Sequence, residues 1–159
     1  MILLRSHAMQ SDIFDTPFEN MLRVLLLLSE APNRPNVDKI AAIDFISIYG
    51  KSFGMLDNDL HGVNRFNFAE FTHKRGMISK AIDLAVANDL IDIRRTPDGL
   101  VFGINDRGRE LLDGITSSYA TSYLSGLKEI IYKLWKREDI ELLEFINRKA
   151  EASESRSLC

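Results

Sequence analysis

A mainly α-helical domain with one β-hairpin is what this sequence predicts, and three observations carry that reading. Met77, Ile78, Ala81, Ile82, Ala85 and Val86 recur at three- and four-residue spacing, which gathers them into one stripe on a helix. Ile91-Asp92-Ile93-Arg94-Arg95 and Leu100-Val101-Phe102-Gly103-Ile104 are β-rich runs joined by Pro97-Asp98-Gly99, the chemistry of a tight turn. A short polar side chain, Asn105 or Asp106, can then cap a further helix through Arg107, Leu111 and Leu112. Helix, strand, turn, strand, helix is the order of the C-terminal half of a winged helix. The expected fold is therefore a winged helix-turn-helix with a two-stranded wing and a C-terminal helical extension. That architecture alone leaves function open, because the module binds DNA in some proteins and protein partners in others.

The elements follow in order. Residues 1–13 read as a flexible N-terminus, with Met1 and Met9 as alternative natural starts and too short an apolar stretch for a signal-peptide core. The domain itself is expected over 14–149. Thr16-Pro17-Phe18-Glu19 starts a helix, with Thr16 as N-cap, Pro17 at the first helical position and Glu19 in a capping box. This helix runs to about Ser29 and is apolar on most sides, so it belongs at the centre of the core. Asn36 caps a second helix, Val37 to Tyr49, which Gly50 should end in a left-handed C-cap. Residues 51–66 show no clear period and read as a loop. A short helix from Phe68 to Lys74 and a break at Gly76 would complete a helix-turn-helix with the helix before the wing. Beyond the wing, Tyr119, Tyr123, Leu127, Ile130, Ile131 and Leu134 line a long helix. Lys136-Arg137-Glu138-Asp139 breaks it, Leu142, Leu143 and Ile146 form a short last helix, and 150–159 read as a polar C-terminal tail.

Bulk properties narrow the function. The chain has 159 residues, 45% of them hydrophobic, the size of one domain able to bury a sizeable core. Twenty Lys and Arg against 23 Asp and Glu give a net charge of -3, so no global positive field draws the chain onto phosphate. The single cysteine, Cys159, precludes an intrachain disulfide and a Cys-based metal cage, and fits a reducing cytoplasm. Leu25-Leu26-Leu27-Leu28 is far shorter than a membrane span, so a soluble protein is expected.

Candidate chemistry is sparse. The sequence carries no G-x-S-x-G, H-E-x-x-H or G-x-x-x-x-G-K-[ST] motif, and His61 and His73 have no cysteine between them. No catalytic residue, metal ligand or cofactor site is therefore expected. Lys74, Arg75, Lys80, Arg94 and Arg95 fall where a winged helix would present its third helix and wing to a duplex. Asp83, Asp89 and Asp92 interleave with them, so a solvated mixed-charge face is the competing reading. Asp44 interrupts the apolar second helix. It is either a buried anchor paired with a basic group or a residue on the solvent side. Partner contacts are expected from Phe14, Tyr132, Trp135, Leu143 and Ile146, since aromatic and apolar side chains dominate interface energetics, and from the 51–66 loop.

Several segments together resemble the middle component of bacterial ABC-three-component systems, the group that includes the small subunit of Lamassu defence operons. Phe14-Asp15-Thr16-Pro17-Phe18-Glu19 looks like that family's opening Phe-x-x-Pro-Phe-Glu, Ile43-Asp44-Phe45 its Leu-Asp-Tyr, and Leu60-His61 its Leu-His. Glu70 and Arg75 stand where the family has a Glu and an Arg pair, with Lys74 replacing the first arginine, and Ile115-Thr116-Ser117-Ser118-Tyr119 resembles its Leu-Thr-Ser-x-Tyr. Two departures stand out: Tyr49 in place of a frequent His, and Asn88-Asp89 in place of the usual glycine, which requires one of those two residues to turn left-handed. The resemblance covers roughly residues 14–135. It implies a non-catalytic subunit encoded with an SMC-like ABC ATPase and an effector, often a nuclease, in antiphage or antiplasmid defence. DNA would be met only through that complex. A winged-helix transcriptional regulator is the alternative.

Overall fold

Helix-forming signals and apolar periodicity convert into structure almost element by element in the computed structural model, which describes residues 16–61 and 68–157. The order is α1 (Pro17–Glu30), α2 (Val37–Ile48), α3 (Phe68–Ala87), β1 (Ile91–Thr96), β2 (Gly99–Ile104), α4 (Asp106–Asp113), α5 (Ser118–Leu134) and α6 (Asp139–Ser157). Thr16 caps α1 by accepting from the Glu19 amide, Asn36 caps α2 through Lys39, Asn105 caps α4 through Gly108, and Ser117 caps α5 through Ala120. Each cap satisfies an amide that the helix itself leaves unpaired. Asp89, at φ 57°, takes the left-handed turn between α3 and β1, and its carbonyl accepts from the Asn105 side chain at 2.8 Å.

Three helices followed by an antiparallel hairpin and a further helix are compatible with a winged helix. The core lies around α2, which packs on α1, α3, α5, α6 and β2. Every residue of α1 from Asn20 to Leu28 and of α2 from Ile40 to Ile48 is buried, so both helices are enclosed on all sides. Phe45 is the hub of an aromatic cluster, meeting Tyr49, Phe53 and Phe71 edge to face. β2 is held to the core from outside the hairpin, where the Phe102 amide donates to the Pro35 carbonyl at 2.9 Å.

Three expectations require correction. Gly76 does not break a helix: α3 runs unbroken for 20 residues. A mid-helix glycine costs about 1 kcal/mol relative to alanine, which the buried face of Phe71, Ile78, Ala81, Ile82 and Ala85 against α1 and α2 outweighs. The expected short helix before Gly76 is thus the first half of α3.

Gly50 is not a left-handed cap, since its φ is not positive. Its lack of a side chain serves close approach instead, because a Cβ there would lie 2.2 Å from Leu56 Cδ1. The Gly50 carbonyl accepts from the Met55 and Leu56 amides, and Ile48 O accepts from Leu60 and His61. With Ser52 bonded twice to Asp59, the described part of the segment read as an open loop, up to His61, is pinned.

The last helix, finally, is not short. It continues to Ser157, across most of the segment that composition marks as a tail, and its own Ala150 is buried. Apolar residues Leu142, Ile146 and Ala150 at four-residue spacing carry the stripe further than hydropathy of the end suggests.

Candidate functional site

Within the buried stretches Asn20 to Leu28 of α1 and Ile40 to Ile48 of α2 stand two opposite charges, and they find each other. Arg23 of α1 donates from Nε to Asp44 Oδ1 at 2.9 Å and from Nη2 to Oδ2 at 3.3 Å, with both side chains almost wholly inaccessible. Of the two readings of Asp44, the buried anchor is the one the structure shows. Asn20, one turn before Arg23, accepts from Nη2 at 2.8 Å. From α5, Tyr123 donates its hydroxyl to Asp44 Oδ1 at 2.7 Å, and the Tyr119 hydroxyl accepts from Arg23 Nη1 at 3.2 Å. The Tyr119 hydroxyl also lies 2.9 Å from His61 Nε2, so the chain of contacts reaches a buried histidine. Charges are tolerated here because each polar side-chain atom of the ion pair has at least one hydrogen-bond partner, with Asn20, Tyr119 and Tyr123 adding to the pair itself.

Electrostatics follow from burial. Burial by itself would lower the Arg23 pKa, but the Asp44 carboxylate, with the tyrosines and the hydrogen bonds, overrides it and raises the value well above the ordinary guanidinium range. Desolvation pushes Tyr119 up to about 12 and, together with the Asp44 charge, holds Tyr123 well above its usual value. A folded state that keeps phenols protonated is favoured below pH 10, the ordinary tyrosine value, and loses that advantage as the unfolded chain ionises. The unfolding free energy should therefore hold steady through pH 9 and fall between about pH 10 and 12, by about 1.4 kcal/mol per pH unit for each tyrosine still protonated. Denaturant titrations at stepped pH, with phenolate absorbance, measure this; folded-state phenolate appearing near pH 10 with no accompanying fall in stability would place the tyrosines in solvent.

The resembling motif residues largely converge on this network. Asp44, His61 and Tyr119 are members, and Glu19 lies close enough for its charge to act on Tyr119. Glu19 Oε2 is buried with no hydrogen-bond partner among the described residues. Glu70 accepts from the Tyr49 hydroxyl at 2.7 Å, and Tyr49 stacks edgewise on His61, which joins α3 to the same region. Pro17 and Phe18 open α1 at the surface. Sequence reasoning missed Arg23, Asn20 and the role of Tyr123. The available signal was the arginine inside the apolar run Met21 to Leu28, complementary to the aspartate inside the apolar run Ile40 to Ile48 of the next helix.

The structure separates the five basic candidates. Lys74 is 8% exposed and cannot serve a duplex from inside the domain. Arg75 donates from Nε to Asp38 at 2.7 Å, tying α3 to α2. Lys80, Arg94 and Arg95 remain on the surface. Neighbouring residues of a strand point to opposite faces, so Arg94 and Arg95 do not form one basic face.

The interface candidates divide too. Tyr132 is 91% exposed, whereas Trp135 and Ile146 are core residues and Leu143 is half-buried. Trp135 donates to the Asn33 side chain and lies beneath the Lys39 ammonium, which is why it packs inward. Trp135 and Ile146 are therefore withdrawn as contact residues. Phe14 lies outside the described residues.

No group of histidine, cysteine and carboxylate side chains that could hold a metal occurs among the described residues, and no described helix is long and apolar enough to cross a membrane. No curated protein and no solved structure matches the chain. The model of one family, described as ABC-three component (ABC-3C) system middle component 2, matches residues 13–156. That match takes in every described element except the last residue of α6, including the network that links α1, α2 and α5. The chain thus belongs to the ABC-three-component system middle component 2 family, one component of a multi-part system that has protein partners.

Proposed function

We propose that this protein is the non-catalytic accessory subunit of a Lamassu-type assembly, in which an SMC-like ABC ATPase and an effector nuclease act in antiphage or antiplasmid defence. Its work is to bridge or stabilise that assembly through protein contacts in the cytoplasm. Family membership is the observation that carries the reading. The distribution of charge supports it over a transcriptional regulator. Lys74 is buried, Arg75 is paired with Asp38, and the two wing arginines diverge, so these candidates do not form a concentrated basic face for independent duplex binding. Contact of Lys80, Arg94 or Arg95 with DNA belongs to the assembled complex.

Tyr132, standing almost fully in solvent beside the buried stripe of α5, is the proposed anchor for a partner. Co-expression with the neighbouring ATPase and effector genes should yield a complex that co-purifies, and Tyr132→Glu should weaken it at least about tenfold without altering the circular dichroism of the isolated chain. A chain that emerges alone and shifts a defined operator sinks this reading in favour of the regulator.

A further inference from the structure

The hairpin has one edge that no described residue covers. Phe102 turns its amide away from β1 to reach Pro35, and in the register of the hairpin Phe102 lies opposite Ile93. Antiparallel ladders alternate, so Ile93 faces Phe102 across a pair without hydrogen bonds and directs its own N–H and C=O outward. Ile91 and Arg95, two residues to either side, do the same. No described residue hydrogen-bonds to the outward main-chain groups of Ile93 or Arg95, and β1 is an edge strand of a two-stranded sheet. On the face shared with buried Phe102, Ile93 and Leu100 remain 47% and 44% exposed. An open edge beside exposed apolar side chains is a pairing surface.

We propose that its occupant is β1 of a second copy of this chain, paired antiparallel about a two-fold axis through Ile93. Charge complementarity within β1 selects that occupant and that register. Turned against itself about Ile93, the run Ile91-Asp92-Ile93-Arg94-Arg95 sets Asp92 across from Arg94 of the second copy, and the two-fold axis repeats the pair. These are pairs without main-chain bonds, in which opposed side chains come closest. Neither Asp92 nor Arg94 forms an ion pair with any described residue, so both are available.

A slip by two residues in one direction opposes Asp92 to Asp92, and in the other Arg94 to Arg94. Of these three registers only the central one avoids like charges and sets opposite charges across from each other. It also hydrogen-bonds Ile93 to Ile93 and sets the row Phe102-Ile93-Ile93-Phe102 across a four-stranded sheet, β2-β1-β1-β2, with each Leu100 diagonal to its own Ile93. An extended segment of another protein would find the same main-chain groups, but nothing in β1 selects it.

Sedimentation of the full chain over a concentration series should show a monomer–dimer equilibrium. Arg94→Asp faces carboxylate with carboxylate and should weaken dimerisation about tenfold or more. Adding Asp92→Arg to that variant restores opposite charges in the same places and should restore the dimer. In a Cys159→Ser background, Ile93→Cys should yield a disulfide-linked dimer on mild oxidation, because a hydrogen-bonded antiparallel pair brings its Cα atoms to about 5.5 Å. Circular dichroism confirms that each variant is folded. A chain that stays monomeric up to on the order of 100 µM, an Arg94→Asp variant that dimerises normally, or a double swap no better than the single one would each overturn the proposal.

Discussion

Asp44→Ala should destabilise the domain by about 3–5 kcal/mol, because it leaves the Arg23 guanidinium charged, buried and without its counter-ion. Arg23 sits on the fully enclosed face of α1, and removing the carboxylate takes away two of its hydrogen bonds together with the acceptor of Tyr123. The penalty belongs to the unpaired charge more than to the lost bonds. The combined change Arg23→Met and Asp44→Leu, which deletes both charges for apolar groups of similar length, should therefore recover most of the loss. Urea unfolding followed by circular dichroism measures both variants. A single-site loss below about 1 kcal/mol would mean that the pair is solvated and that the network is ornamental.

Ile146→Glu is expected to cost at least about 4 kcal/mol and to leave little folded protein, since it combines a lost apolar side chain with an uncompensated buried carboxylate. Ile146 is fully inaccessible on the stripe that fastens α6 to α2. Tyr132→Glu supplies the contrast: the same charge on the exposed side of α5 should shift stability by less than about 0.5 kcal/mol. Equal unfolding midpoints for the two variants would show that α6 is not docked as described. Charge substitutions in α6 for binding studies belong at Ile140, which is exposed, and not at Ile146.

The sequence and the structure agree where a local rule decides. Thr16, Asn36 and Asn105 cap because a short side-chain oxygen is the cheapest partner for an orphan amide, and that depends only on neighbouring residues. The hairpin was legible for the same reason, including the left-handed Asp89 before it. Gly76 misled because helix propensity is a weak local preference that tertiary burial overrides.

The site divides along the same line. Asp44, His61 and Tyr119 stood out as motif residues, yet their convergence depends on partners 21 to 96 positions away. Nothing in periodicity reports a partner at that range. Trp135 and Ile146 read as surface anchors because apolar spacing on a terminal helix looks alike whether the stripe meets solvent, a partner or the domain's own core.

The hydrogen bonds of Asp44 also constrain when the chain can fold. Tyr123 lies 79 residues after Asp44, and the Tyr119 hydroxyl that meets Arg23 lies 96 residues after it. A nascent chain that has not yet delivered α5 holds an ion pair lacking both hydroxyls, and α2 then lacks two of the helices that enclose it. A fragment holding only the three leading helices and the hairpin should therefore be unstable, which circular dichroism of that fragment checks. Folding during synthesis should accordingly wait for α5 and α6, and a shortened gene product ending after the wing should be a substrate for proteases.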